Sequence, residues 1–154
     1  MIARMKRGKK GGALRAVDVL PAAEEHIEQV SLCQWWALYS HSRGIPEYLL
    51  FAIPNGGRRD EVTGAKLKAE GVRAGIPDMF LAIPTKNEPG LFLELKKTRG
   101  GQVRGSQKKM HQDLSGAGYR VCVCRGWDEA RQAIEKYLKD GEAVTSCNRL
   151  TDGR

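Results

Sequence analysis

One short run, Leu91-Phe92-Leu93-Glu94-Leu95-Lys96, limits this chain more than any other feature. Along an extended strand successive side chains point to opposite faces, so Leu91, Leu93 and Leu95 share one face while Glu94 and Lys96 share the other. The leucine face has to be covered by a core. An acid and a base together on an otherwise apolar strand need a separate reason. An ion pair on a solvated edge strand is the plain one, and a reactive centre is the other. The flanking sequence sets the strand in a sheet. Asp78 to Ile83 reads as a strand closed by Pro84, and Lys86-Asn87-Glu88-Pro89-Gly90 reads as a hairpin loop, so the two strands run antiparallel. Tyr48 to Ile53 is a further strand, ended by Pro54 and the turn tract Asn55-Gly56-Gly57, and Tyr119 to Cys124 is the last.

Helices fill the intervals. Pro21 with Glu24 and Glu25 marks a helix start, and the helix runs to about Ser40. On it Glu28, Leu32, Trp35 and Tyr39 fall on one stripe, which aligns a carboxylate with large apolar side chains. Glu24 lies one turn earlier on nearly the same stripe and Glu25 beside it, so spacing does not choose among the three. Trp35 and Trp36 are about 100° apart around the axis; either one of them meets a second subunit or the helix is buried on two sides. Asp60 to Glu70 reads as an exposed helix ending at Gly71. Ser106 suits the N-cap of a helix over Gln107 to Ala117 that turns Met110, Leu114 and Ala117 toward the core and stops at Gly118. Asp128 suits the cap of a last helix through Lys139. The expected fold is therefore α/β, a central mixed β-sheet flanked by helices in the order αβββαβ, with a helical insertion after the first strand and a closing helix. A chain of 154 residues fits one such domain, over 21–140, between a flexible basic arm at 1–20 and a tail at 141–154.

The net charge of +8 points to a polyanionic partner. Arg4, Lys6, Arg7, Lys9, Lys10 and Arg15 crowd the arm, and Lys96, Lys97, Arg99, Arg104, Lys108 and Lys109 form a second cluster. Both suit phosphate binding. No apolar run approaches the roughly 20 residues of a membrane helix, and the basic N-terminus lacks an apolar signal core, which points to the cytoplasm. Cys33, Cys122, Cys124 and Cys147 make no C-x-x-C pair, so they read as reduced thiols, not zinc ligands. Cys122 and Cys124 alternate in a strand and face the core together. Neither a phosphate-loop motif nor an H-E-x-x-H sequence occurs.

Gly75-Ile76-Pro77 leads an extended turn into Asp78, and the hairpin brings Asp78 near Glu94. Two neighbouring carboxylates repel unless a cation sits between them. Hard oxygen donors suit Mg²⁺, which keeps waters and binds phosphate oxygens. The carbonyl of Leu95 is available as a further ligand, and Glu28 as one more, directly or through water. Bound Mg²⁺ would lower the pKa of a water and screen a phosphodiester. Lys96 then positions that water or neutralises transition-state charge. Gln107, at the start of its helix, would orient Lys96 or the phosphate.

The run Gly75-Ile76-Pro77-Asp78 followed by Glu94-Leu95-Lys96 resembles the PD-(D/E)XK nuclease signature, here Pro77-Asp78 and Glu94-x-Lys96. The closer resemblance is to its VRR-NUC branch, stand-alone nucleases often found in bacteriophages. Glu28, Pro54-Asn55-Gly56-Gly57, Gly71 and Gln107 support it, and the likeness covers about 24–139. It implies a restriction-endonuclease-like core and a metal-dependent phosphodiesterase, with Asp78 and Glu94 as ligands and Lys96 as the catalytic lysine. It also implies a homodimer that cuts branched DNA such as four-way junctions. The expected activity is a Mg²⁺-dependent DNA endonuclease, with Mn²⁺ able to substitute. A sequence-specific restriction-type nuclease and a catalytically silent DNA-binding module are the alternatives.

Overall fold

Strand β3, Leu91–Lys96, lies inside a four-stranded sheet of order β1-β2-β3-β4 in the computed structural model, which describes residues 16–54, 61–98 and 105–141. Its neighbours are β2 (Met79–Leu81), antiparallel, and β4 (Arg120–Arg125), parallel; β1 (Leu50–Ala52) pairs antiparallel with β2. The ladder reaches beyond the short strands. Ile53 N–H donates to the Asp78 carbonyl and Ala82 N–H to the Leu49 carbonyl, both at 2.8 Å. The spans expected for the first two strands are therefore bonded chain, but Glu47–Leu49 curls into a 3-10 turn where the sequence predicts extended chain at Tyr48.

The odd residues of β3 carry the core. Leu91, Leu93 and Leu95 are buried with Met79, Leu81, Leu50 and Cys124 against helices α1 (Ala16–Ser42) and α4 (Gly126–Asp140), which supply Leu32, Trp36, Ala130, Ile134 and Tyr137. Each fully buried leucine contributes about 2 kcal/mol by removing apolar surface from water. The Tyr137 hydroxyl satisfies itself inside that core by donating to the Ile83 carbonyl at 2.8 Å. Cys122 packs beside Cys124, whose thiol burial pushes up to about 12. Cys33, Cys122 and Cys124 are all free thiols.

Helix α3 (Gly105–Gly116) joins the parallel strands β3 and β4, as such a pair requires. It lies on the Glu94 face of β3. None of its residues is fully buried: Met110 and Leu114 are half-buried and Ala117 is exposed, so the apolar stripe expected there covers less than a core helix would. Gly118 closes it at φ +93°, with Tyr119 N–H on the Leu114 carbonyl. The remaining helix, α2 (Glu61–Ala69), is the insertion after β1; over 65–69 every residue but Leu67 is exposed.

Three local expectations are corrected. Helix α1 begins at Ala16, five residues before Pro21, so the proline lies within the helix and not at its start. Residues 16–20, expected in the arm, are thus helical. Ser106 is the second residue of α3, so it is not the N-cap. Asp128 lies in the first turn of α4, whose N-cap is Arg125; Asp128 pairs with Arg131 at 2.9 Å instead. Both tryptophans also fit within one subunit. Trp36 is 1% exposed and donates to the Glu47 carbonyl at 2.8 Å, while half-buried Trp35 packs on Tyr39 with centroids 4.7 Å apart. The arm 1–15, Asn55-Gly56-Gly57, the Gly100-Gly101 loop and the tail 142–154 lie outside the described residues. Among the described residues no helix is long and apolar enough to cross a membrane.

Candidate active site

The local sequence sets Asp78 and Gln107 against each other through Gly75. That glycine has φ +86°, and a Cβ there would meet the Ser106 carbonyl oxygen at 3.2 Å and the Gln107 nitrogen at 3.5 Å. Its bare backbone therefore lets the turn before Asp78 close on the start of α3. Pro77, buried, then carries the chain into β2. The Asp78 carboxylate accepts the Leu95 backbone N–H at 2.8 Å, which ties it to the strand that bears Glu94 and Lys96.

Glu94 is 1% exposed, so the pair it makes with Lys96 is not a solvated edge contact. Its Oε1 accepts from Lys96 Nζ at 2.6 Å and from Gln107 Nε2 at 2.5 Å. Gln107, in the first turn of α3, and Lys96 thus share one oxygen of Glu94. Glu94 Oε2 is buried and has no hydrogen-bond partner among the described residues. Burial raises the Glu94 pKa, and the Asp78 charge adds to the rise against the opposing pull of Lys96 and Gln107. Such a perturbed carboxylate, held in fixed geometry beside a second one, is typical of functional sites.

His111, not singled out in the sequence, also faces Glu94. Its Nε2 lies 3.7 Å from Glu94 Oε2 and is likewise buried without a partner among the described residues. Burial lowers its pKa, and Lys96 lowers it further against an opposing effect of Asp78. The available signal was its position one turn after Gln107 on the same face of α3.

Glu28 sits elsewhere around the sheet end. Its Oε2 accepts the Trp127 backbone N–H at 2.7 Å and so caps the N-terminus of α4, where the helix dipole favours an anion. A Cβ at Gly126 would fall 3.2 Å from that oxygen and 3.4 Å from Thr98 Oγ1, which places Glu28 near the end of β3, just past Lys96. The side chains of Glu24 and Glu25 lie outside the described residues.

Among the described residues no three His, Cys, Asp or Glu side chains converge to cage a metal ion. A hydrated Mg²⁺ does not require that; one or two carboxylates suffice, with water and phosphate completing the shell. Asp78 and the unpartnered Glu94 oxygen fit such an ion.

The VRR-NUC domain model matches residues 22–128, well over half of the chain. A solved structure described as a "VRR_NUC domain protein" is 27% identical and superposes with a TM-score of 0.65, covering 77% of this chain and 90% of that one. No curated protein matches the chain. The mixed sheet with flanking helices is the restriction-endonuclease-like core expected from the sequence. The chain belongs to the VRR-NUC family and carries a nuclease-type domain.

Proposed function

We propose that the protein is a Mg²⁺-dependent DNA endonuclease that hydrolyses phosphodiester bonds, with Mn²⁺ able to substitute, and that it acts in the cytoplasm. The observation that carries this reading is the buried Glu94 carboxylate, paired on one oxygen with Lys96 and Gln107 and unpartnered on the other, beside Asp78. Asp78 and Glu94 would hold the ion, with the Leu95 carbonyl and Glu28 as further ligands, Glu28 through water because its own oxygen caps α4. When bound, the ion activates water and screens the phosphodiester.

The chain's own groups do the rest. Leu95 N–H fixes the Asp78 carboxylate. Gln107 keeps Glu94 Oε1 turned to Lys96, which leaves Oε2 for the ion. Lys96 Nζ, 2.6 Å from Glu94, brings a fixed positive charge to where the phosphate's negative charge grows in the transition state. The basic arm and the second basic cluster would hold the DNA backbone.

The preferred substrate is branched DNA, four-way junctions included, and the working form is a homodimer. One domain with one site cuts one strand per encounter, whereas a two-fold dimer supplies the symmetric pair of nicks that a junction needs. Both tryptophans are used inside the subunit, so the contact surface we assign is the outward face of α1, where Ile27, Val30 and Leu38 are exposed. Labelled duplex, flap, single-stranded and four-way DNA, incubated with Mg²⁺, Mn²⁺ or chelator, tests the reading. Metal-dependent cutting that favours the junction is expected. No cutting with either metal would leave a silent DNA-binding module, and equal cutting of duplex and junction would remove the structure preference.

A further inference from the structure

We propose that His111 Nε2 and Glu94 Oε2 form a mixed nitrogen–oxygen donor pair for the divalent cation, and that this pair biases the site toward Mn²⁺ over Mg²⁺. The inference rests on the metal-dependent reading above and adds to it a donor and a preference. Both atoms are buried and lack hydrogen-bond partners among the described residues. Native proteins rarely leave buried polar atoms unmatched, and two such atoms facing each other mark a place for a third species.

Their separation says which kind. At 3.7 Å the pair is too far apart for a hydrogen bond. A divalent ion would be held by both atoms, since an imidazole nitrogen and a carboxylate oxygen each bind such ions at about 2.1 Å.

Helix α3 explains how the donor is delivered. Gln107 and His111 stand one turn apart, and Gln107 is anchored on Oε1 of the same carboxylate. One helix face thus addresses both Glu94 oxygens, holding Oε1 with an amide and offering Oε2 an imidazole. The consequence is selectivity. An all-oxygen site suits Mg²⁺, whereas an imidazole nitrogen adds affinity for first-row transition-metal ions, of which Mn²⁺ also keeps the oxygen ligands that Mg²⁺ uses.

Calorimetric titration of the full chain with MnCl₂ and with MgCl₂ tests this without any cleavage. His111→Ala is expected to weaken Mn²⁺ binding about tenfold, the lower end for losing a group that tunes a metal site. Mg²⁺ binding should stay within about twofold, since its oxygen ligands remain. An unchanged Mn²⁺-to-Mg²⁺ affinity ratio, or an equal loss of both, overturns the inference while leaving a metal site. Absence of binding by either metal to the unsubstituted protein would overturn the metal-dependent reading itself. A second measurement needs no variant. In ¹⁵N-histidine spectra of the unsubstituted chain, diamagnetic Zn²⁺ should move the His111 ring resonance and not those of His26 or His41; a stationary His111 signal also overturns the inference.

Discussion

Glu94 sits in a place that disfavours its charge. Burial, the largest cause, and then Asp78 raise its pKa in the folded chain above the ordinary carboxylate range, and Lys96 and Gln107 only partly offset this. A raised folded value means that the native state binds the proton more tightly than the unfolded state. Its stabilising effect is complete below the ordinary carboxylate range and is lost as pH rises through the elevated folded value. In chelator, the thermal midpoint should therefore fall over that window, and Glu94→Gln should flatten the fall while staying folded. An identical pH profile in the variant would show that another group causes it. With metal present, Glu94→Gln and Asp78→Asn should each abolish cutting and weaken Mn²⁺ binding, because each removes a carboxylate ligand. Lys96→Ala should still bind Mn²⁺ yet cut at least about a hundredfold more slowly, the scale of one lost electrostatic stabiliser. Calorimetry showing that Lys96→Ala no longer binds metal would make the lysine a support for the ligands instead.

At the scale of elements, two contacts join parts of the chain that are far apart in sequence. Glu28 on α1 caps α4 through Trp127 N–H. Glu28→Ala should lower stability in urea by about 1.5 kcal/mol, as for a hydrogen bond to a charged group. Glu28→Gln keeps an acceptor, so it should retain most of that stability while slowing cleavage; full activity in Glu28→Gln would reduce Glu28 to a cap. The second contact is Gly75 on the first turn of α3. Gly75→Ala forces a side chain into a positive-φ position and against the Ser106 carbonyl. It should destabilise by about 1–2 kcal/mol, the cost of local backbone strain, and should slow cutting by moving Gln107 away from Glu94. Wild-type urea midpoint and rate in this variant would show that the turn does not set the site. The glycine, the proline and Asp78 were legible in sequence as a forced turn. What they turn against was not, because the partner lies some thirty residues later on a helix whose own sequence names no neighbour.

For the whole molecule, charge and assembly are the quantities to measure. Deleting residues 1–15 removes Arg4, Lys6, Arg7, Lys9, Lys10 and Arg15 and stops short of α1. DNA binding should weaken, and the slope of log affinity against log salt should flatten by about 0.9 for each duplex phosphate that the arm no longer neutralises. An unchanged slope would assign phosphate binding to the second basic cluster. Light scattering at micromolar concentration should report a dimer; a mass of 17.1 kDa, that of one chain, would refute it.

The sequence by itself determined the sheet and its polarity. Period-two alternation in Leu91–Lys96 decides which side chains share a face, and the short proline- and glycine-bearing hairpin loop leaves Asp78 no place but beside that strand. The pairing of Asp78, Glu94 and Lys96 was therefore readable from local rules. Tertiary structure decided what long-range packing controls. It placed Glu94 on an interior strand with only 1% exposure, which makes the pair with Lys96 a buried one instead of a surface one. It set both tryptophans within one subunit, because a helix packed on a sheet and touching the following turn has more than one buried side. It aimed His111 at Glu94, since only the crossover between parallel strands fixes which face of α3 looks inward. Periodicity tells which residues travel together on one face, and the packing of one element on another tells what that face meets.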